Sequence, residues 1–544
     1  MPRPHRPAPV RPAPGRTTHE PSSPPPRARF RDHALALAPA LVAGLALYAP
    51  SLRLFFAQDD VTFLSRAAGL APTPWSLARP LSEGLAWRAL YALFGLSPAP
   101  YHALRLALHL ASAALVYAIG LRLLRGRGEA GAAAFLFATS SLAFAVLHWA
   151  SCIVEALVTT LALAAFALQL SAIARSSGAR TWAAALVAVA ALLAKENAVG
   201  LPVVFALAAA LMLPPRAALR ASLPVACLFA ALGLAFLATR ALLPYGQYAE
   251  AYALALAPAA LFSQLCFYLR LCLFSANPVG QSAAAAGASP FVPALLVMAA
   301  LAVSIWAERG AVRRPAALGA AWFTVFLLPV LPLAHHESDY YLYLPWAGLC
   351  WLLPSAYGHV AARWPRNVGA AAAVSALAVI GALQWAAVRA REGARLGPLP
   401  ADKTMRESLL LRNASAGLRA ARLAPGADVG FVNPYQQQHG SLAGAPSGSA
   451  VRSYIPLEAA MRGGESLRLF APGTRYLGFA IVPPPEWDRA HIFFFDNDGT
   501  LTALGTPPAA YRALAALFEE EGAHATAESL RGRALALEGA APGP

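Results

Sequence analysis

Charged residues are scarce in this chain: of 544 residues, 58% are hydrophobic and only 13% are charged. An ordinary soluble domain carries about 25% charged residues, so this composition excludes a water-soluble protein. The formal net charge of +16 would point to nucleic acid in a soluble protein. Here the arginines lie in short loops between apolar runs, a pattern that sets membrane topology, so nucleic acid is excluded as a partner.

Lysine and cysteine are also rare. The 43 lysines and arginines include only two lysines, Lys195 and Lys403. Together with the high alanine content, this indicates the bias of a GC-rich bacterial genome, and it makes a lone lysine in the apolar region informative. The five cysteines all fall in or beside apolar segments. Their spacing predicts neither a disulfide framework nor a zinc site.

Apolar runs that could cross a bilayer recur from residue 34 to residue 388. The arginine-bearing loops alternate between these runs as the positive-inside rule requires if the chain starts in the cytoplasm. The sequence thus predicts a protein of the bacterial inner membrane with its N-terminus inside and its C-terminal domain outside. One further apolar segment, 259–275, would break the alternation and is predicted to be interfacial or re-entrant. The eleven predicted crossings are 34–52, 101–121, 130–150, 156–174, 181–194, 198–213, 221–239, 291–307, 316–334, 342–362 and 367–388.

The chain divides into three parts by composition. Residues 1–32 are a Pro/Arg-rich tail predicted to be disordered and cytoplasmic, and residues 33–390 form the transmembrane domain. Residues 391–544 show soluble patterns and form an extracytoplasmic domain of unknown role. The predicted fold class is a polytopic α-helical membrane protein of about eleven spans with a small C-terminal α/β soluble domain. In that domain we predict a helix at 402–421, strands near 428–433 and 491–504, and two helices within 508–537.

The run from Asp496 to Thr500 resembles the nucleophile loop of haloacid-dehalogenase-type phosphatases. That fold needs a long α/β body after the loop, whereas only 43 residues follow Leu501. An Asn-Asp-Gly turn between two strands explains the run. We therefore predict a hairpin here and no phosphatase.

Charged groups in or beside spans are costly and so are functional candidates. Adjacent Asp59 and Asp60 follow the first span, where one carboxylate could act as a base; an acidic flank of the membrane is the alternative. The second span carries His102, Arg105 and His109 on one helical face, which predicts a polar-lined cavity. The alternative for the outer two is an interfacial histidine and an arginine that reaches the surface.

Two further clusters lie on the outer side. Residues 181–213 are too long for one crossing and predict a hairpin whose turn holds Lys195 and Glu196 slightly below the outer surface. A structural ion pair is the alternative there. The segment 335–345 mixes titratable and aromatic groups at an outer boundary, including Asp339, although its tyrosines alone would fit an aromatic belt.

In their order along the chain these clusters resemble the GT-C glycosyltransferases, particularly the protein O-mannosyltransferase-like branch that includes transmembrane enzymes with tetratricopeptide repeats. The resemblance covers roughly residues 34–390. The C-terminal domain shows no such repeats. The matching elements are the pair Asp59-Asp60, Arg79-Pro80-Leu81, Tyr101-His102 with Arg105 and His109, Trp149 with Glu155, Lys195-Glu196 with Leu201-Pro202, and Asp339-Tyr340-Tyr341-Leu342-Tyr343-Leu344-Pro345.

Two positions depart from the family pattern. Arg105 stands where the family has Asn, and Tyr340 stands where the last element has Arg. A phosphate contact has therefore moved between helices if the activity is kept.

The resemblance implies an inverting transfer of a sugar, with mannose a candidate, from a polyprenyl-phosphate carrier to an acceptor hydroxyl on the outer face. The acceptor would be a protein, a glycolipid or a polysaccharide, and a divalent cation is left open. Asp59 and Asp60 are the implied catalytic residues. A non-enzymatic transporter or flippase of lipid-linked sugars is the rival reading, and the absence of inverted repeats weighs against it. The implied donor-phosphate and substrate-binding residues are Arg79, His102, Arg105, His109, Glu155, Lys195, Glu196, Asp339, Tyr340 and Tyr343.

Overall fold

The structure is a computed structural model that describes residues 26–73, 78–242, 254–273, 314–333, 337–432, 456–496, 498–520 and 522–539. Most of the predicted N-terminal tail, the predicted crossing 291–307, and His335 and His336 lie outside the described residues. Every structural statement below refers to the described part of the chain.

Helices make up the apolar part of the chain, in keeping with a composition that must satisfy its backbone polar groups internally. Short 3₁₀ or π turns separate several of them. The helices are α1 (Pro26–Tyr48), α2 (Asp60–Ala67), α3 (Trp87–Phe94), α4 (Pro98–Leu123), α5 (Arg127–Ala138), α6 (Phe144–His148), α7 (Ile153–Arg175), α8 (Gly178–Ala194), α9 (Leu201–Met212), α10 (Pro215–Leu242), α11 (Pro258–Leu273), α12 (Arg314–Leu327), α13 (Tyr343–Ala361) and α14 (Arg366–Gly393).

Among the described residues, five helices are long and apolar enough to cross a membrane: α1, α4, α7, α10 and α14. A sixth crossing exists if α5 and the bent stretch that follows it count as one span. The apolar stretches Gly178–Ala194, Glu196–Met212 and Pro315–Val330 are shorter. These helices are those of an integral membrane protein, and eleven full-length spans are not found in the described part of the chain.

The predicted crossing at 130–150 is bent in the structure, because the chain turns there by 42° between Arg127–Ala138 and Ser141–His148. The bend falls at three hydroxyl residues. The hydroxyl of Thr139 donates to the carbonyl of Phe135 at 2.8 Å, and the Ser140 side chain accepts from the Leu142 N–H. Such side chains compete with the helical hydrogen bonds, which explains the break.

The predicted turn inside 181–213 is present. Helix α8 ends at Ala194, a 3₁₀ turn covers Glu196–Gly200, and α9 begins at Leu201 with a proline in its first turn, where the missing N–H costs nothing. Gly200 is required by close packing, since a Cβ there would lie 2.5 Å from Val325 Cγ1. This packing holds the turn against α12.

Close backbone approach joins α12 and α13. A Cβ on Gly348 would meet the Gly319 carbonyl oxygen at 2.3 Å, and a Cβ on Gly319 would meet the Gly348 carbonyl oxygen at 2.7 Å. Small residues allow such contact between helices in membranes, where packing rather than water drives association. Either glycine is therefore a packing requirement.

The C-terminal segment holds helices and a four-stranded sheet with strand order β4-β3-β5-β6. Strand β3 runs parallel to both β4 and β5, and β5 pairs antiparallel with β6. The hairpin predicted at Asp496–Thr500 is the β5–β6 connection, with Gly499 at φ +87°. The elements are β1 (Arg395–Leu396), β2 (Leu399–Pro400), α15 (Lys403–Ala420), β3 (Asp428–Val432), α16 (Pro456–Ala460), α17 (Glu465–Phe470), β4 (Arg475–Ala480), β5 (His491–Phe495), β6 (Leu501–Gly505), α18 (Ala509–Glu520) and α19 (His524–Gly539).

One hydrophobic core joins the C-terminal segment to the loop that follows α1 and to the start of α3. Phe55, Phe56 and Trp87 belong to the same buried cluster as Leu411 and Phe470. The loop that follows α1 therefore packs against α15 and α17.

Candidate active site

The acidic turn places its two carboxylates in different environments. Asp60 begins α2 and is fully buried. Its Oδ2 accepts from the Ala57 N–H at 2.8 Å, and its Oδ1 accepts from the Ser151 hydroxyl. Burial raises the pKa of Asp60 to about 7. Both of its oxygens are thus occupied by protein donors.

Asp59 lies at the surface, with 43% of its side chain exposed. Its Oδ1 accepts from Arg462 Nη2 at 2.6 Å. Among the described residues no other donor reaches this carboxylate. Asp59 is therefore the member of the pair that an acceptor hydroxyl can approach.

The face of α4 that carries His102, Arg105 and His109 is fully buried. The prediction of a polar-lined cavity along this face is wrong, because the three side chains are packed against other parts of the protein. Arg105 Nη1 donates to the carbonyls of Val146, at 2.9 Å, and Trp149, and Nη2 contacts His102 Nδ1. Arg105 therefore ties the end of α6 and the start of the α6–α7 connection to α4, and its guanidinium is buried among protein groups.

His109 also has only protein partners. Its Nε2 lies 3.0 Å from the Ala138 carbonyl, which can only accept, so Nε2 carries the proton. Its Nδ1 then accepts from the Tyr343 hydroxyl at 2.8 Å. The two sequence candidates His109 and Tyr343 are brought together inside the bundle, where they join α4 to α13.

Lys195 forms a buried ion pair with Glu155, and each side chain is only 5% exposed. Its Nζ lies 5.4 Å from the ring centre of Tyr340 and 5.1 Å from that of Tyr341. Aromatic faces stabilise a cation at such distances. The structure thus gathers Glu155, Tyr340 and Tyr341 around the ammonium group of Lys195.

Arg79 forms the second cationic centre. Its Nε and Nη2 donate to the two oxygens of Glu196 at 2.8 and 2.5 Å, and its Nη1 donates to Glu83 at 2.9 Å. Arg79 has φ +54°, in the left-handed region that a non-glycine residue adopts only under constraint. The hydroxyl of Ser82 fixes the same stretch by donating to the Ala194 carbonyl at 2.6 Å. The Arg-Pro-Leu element is therefore fastened to the Lys195-Glu196 turn.

These centres meet at the N-terminal end of α7. Ser151, which binds Asp60, and Glu155, which binds Lys195, are four residues apart. One helical turn separates such residues by about 6 Å along the axis. The indole N–H of Trp149 donates to the Ala57 carbonyl at 3.3 Å and its ring packs on Tyr340. The acidic turn and the lysine centre are thus neighbours on one helix end.

Asp339 belongs to a network that sequence reasoning missed. Its Oδ2 accepts from Arg391 Nη1 at 2.5 Å, and Arg391 Nε donates to Asp402 Oδ2 at 2.9 Å. Nearby, Glu392 pairs with Arg389 and with His148. The signal was in the sequence, because Arg389 and Arg391 follow the last span on the side predicted to lie outside, where the positive-inside rule does not expect arginines.

No group of three or more histidine, cysteine, aspartate or glutamate side chains is placed to hold a metal ion in the described ranges.

No protein-family model matches the chain, and no curated protein matches it. The chain aligns with several solved structures. The ArnT protein of Cupriavidus metallidurans bound to undecaprenyl phosphate aligns at 15% identity and TM-score 0.43, over 89% of this chain and 94% of that one. The apo form of ArnT aligns at 14% identity and TM-score 0.44, over 90% of this chain and 95% of that one. The oligosaccharyltransferase of Archaeoglobus fulgidus in complex with zinc and sulfate aligns at 12% identity and TM-score 0.46, over 92% of this chain and 66% of that one.

At these identities and TM-scores, the three matches carry neither an activity nor a residue role over to this chain. The candidate site rests on its own residues.

Proposed function

We propose that this protein is a membrane glycosyltransferase that moves a sugar from a polyprenyl-phosphate carrier to an acceptor hydroxyl on the outer face, with inversion. The observation that carries the proposal is the meeting of an accessible carboxylate turn and two partnered cations at the outer end of α7. A transfer of this kind needs a base on one side of the anomeric carbon and positive charge on the other.

Asp59 is the proposed base. It takes the proton of the acceptor hydroxyl while that oxygen forms a bond to the anomeric carbon, and the bond from this carbon to the phosphate oxygen breaks. Asp60 is proposed to hold the turn in place, since its oxygens are bound by Ala57 and Ser151. Asp59 is bound on one oxygen by Arg462 and is otherwise open to the outside.

Arg79 and Lys195 are the proposed phosphate-binding cations. The departing polyprenyl phosphate gains negative charge, and fixed cations stabilise that charge. Arg105 is proposed to be structural, because its guanidinium is fully buried and bound to backbone carbonyls. Glu155 and Glu196 are proposed to hold the two cations in position before the donor arrives.

The finer features of the proposal come from the resemblance described above. They are mannose as a candidate sugar, a protein, glycolipid or polysaccharide acceptor, and a bacterial inner membrane location with the C-terminal domain outside. The prenyl tail would lie against the apolar flanks of the spans.

The test is transfer of a labelled sugar from polyprenyl phosphate by the full-length protein in proteoliposomes, assayed over a panel of sugars with membrane extract as acceptor. Asp59→Asn should lower the rate by about 10²- to 10⁴-fold, the usual contribution of a general base. Asp428→Asn is the matched control, since Asp428 is also an outer carboxylate bonded to one arginine. That variant should transfer at the wild-type rate.

If Asp59→Asn retains near wild-type transfer, Asp59 is not the base. If the wild-type protein transfers none of the sugars in the panel but moves lipid-linked sugar between leaflets, the enzyme assignment falls and the protein is a transporter.

A further inference from the structure

Five polar contacts fasten the C-terminal segment to the acidic turn and its flanks, and three of them involve Phe55 and Thr62. The Ser408 hydroxyl accepts from the Phe55 N–H at 2.8 Å and donates to the Phe55 carbonyl at 3.1 Å. The Thr62 hydroxyl donates to Glu465 Oε2 at 2.9 Å. All of these contacts reach across more than 340 residues of sequence. The segment is therefore placed to set the geometry of the turn.

Gln58 shows that this geometry is constrained. It immediately precedes Asp59 and has φ +51°, a conformation that a non-glycine residue holds only when its surroundings impose it. Its side-chain amide donates to the Thr404 hydroxyl at 2.8 Å. The direction in which Asp59 leaves the backbone thus depends on a partner in α15.

Arg462 completes the arrangement from the turn between α16 and α17. It also has a positive φ, of +54°. Its guanidinium holds Oδ1 of Asp59, and among the described residues Oδ2 of Asp59 has no donor. The buried carboxyl of Glu407 lies close enough to feel the charges of both Arg462 and Asp59.

Stability does not account for this pair. Asp59 and Arg462 are 43% and 36% exposed, and exposed ion pairs contribute about 0 to 1 kcal/mol. The stabilisation from one exposed ion pair does not offset the free-energy cost of the strained backbone conformations at Gln58 and Arg462. They are expected where geometry matters for function.

We infer that Arg462 is a positioning residue that fixes Oδ1 of Asp59 and leaves Oδ2 aimed at the acceptor hydroxyl, so that the C-terminal segment is part of the active site. This inference rests on the proposed role of Asp59 as base.

The first arm of the test is independent of activity and uses the full-length chain with Cys227 and Cys272 replaced by serine and with Asp59→Cys. The ratio of modification rates by anionic and cationic methanethiosulfonate reagents reports the charge beside position 59. Adding Arg462→Ala should lower the anion-to-cation ratio by about tenfold, as expected for removing one nearby charge. Adding Arg475→Ala should not change the ratio, because Arg475 donates to Asp428 and not to the side chain at position 59. An unchanged ratio with Arg462→Ala overturns the inference.

The second arm measures turnover of the labelled polyprenyl-phosphate sugar by Arg462→Ala, Arg462→Lys and Arg475→Ala. Arg462→Ala should lower turnover by about 10- to 100-fold through misorientation. Arg462→Lys should recover part of the rate, and Arg475→Ala should match wild type.

Wild-type turnover by Arg462→Ala, together with loss of turnover by Asp59→Asn, overturns the inference and leaves the proposed function standing. Faster turnover by Arg462→Ala also overturns it, since the pair would then mask the base. Wild-type turnover by both variants removes Asp59 as the base and the inference with it, whereas absence of turnover by the wild-type protein itself removes the proposed function.

Discussion

The ion pair between Lys195 and Glu155 gives the sharpest test of whether the lysine serves stability, chemistry or both. Both side chains are buried, each 5% exposed. Lys195→Met keeps the length of the side chain but leaves Glu155 without its cation. Breaking a buried pair in this way costs about 3–5 kcal/mol, because the remaining charge stays buried and uncompensated.

The double variant Lys195→Met/Glu155→Gln removes both charges. Replacing a buried pair by neutral groups of similar size is often close to neutral, so most of the lost stability should return. What is still missing is the contact of the ammonium group with the rings of Tyr340 and Tyr341, worth about 0.5–2 kcal/mol. The order of unfolding free energy should be wild type, then the double variant slightly below it, then Lys195→Met.

The measurement is denaturant or thermal unfolding of the full-length protein in detergent, paired with sugar transfer. Arg512→Met is the control, because the pair of Arg512 with Glu538 is exposed and its loss should cost less than about 1 kcal/mol. Equal stability of Lys195→Met and the double variant would refute the reasoning about a buried orphan charge. A double variant that is stable and fully active would show that Lys195 is only structural.

Two further predictions follow from the structure and the charge pattern. Burial raises the pKa of Asp60 well above that of an exposed aspartate, to about 7, so the folded protein keeps a proton that the unfolded chain releases. The unfolding free energy should therefore fall as pH rises from about 4 to about 7, and Asp60→Asn should remove that slope in unfolding measured across this range. For topology, alkaline phosphatase fused after Arg395 should be active and a fusion after Arg313 inactive. The reverse pattern would overturn the orientation.

The helical face of α4 shows what spacing can and cannot predict. The separation of His102, Arg105 and His109 fixes them on one face, and the structure has them there. Spacing gives no information on what covers the face. The carbonyls of Val146 and Trp149 reach Arg105 only because a bend brings distant chain against α4.

The acidic pair shows the same limit at closer range. Asp59 and Asp60 are adjacent and chemically alike, so local sequence cannot assign them different environments. The difference comes from Ser151 and Arg462, which lie about 90 and 400 residues further along the chain. Their separation into a buried and an accessible carboxylate is a tertiary property.

Arg389 and Arg391 follow the last span on the side predicted to lie outside, and the positive-inside rule does not expect arginines there. Arg391 lies between Asp339 and Asp402, with 17%, 11% and 7% of the three side chains exposed. Arg389 pairs with Glu392 and also donates to the Leu47 carbonyl at 2.6 Å. The carboxylates that pair with Arg389 and Arg391 balance their positive charge. The positive-inside rule therefore does not require these two arginines to lie on the cytoplasmic side.

The same neutralisation bears on the proposed chemistry. Arg79 is held by Glu83 and Glu196, and Lys195 by Glu155. A polyprenyl-phosphate sugar carries one negative charge as a diester, which competes weakly with a carboxylate already in place. As the bond to the sugar breaks, the phosphate gains a second charge and competes better for the same cations. Stabilisation that grows only as the bond breaks raises the rate rather than the affinity for the donor. Partnered cations at the end of α7 therefore suit transfer better than the simple holding of a lipid phosphate.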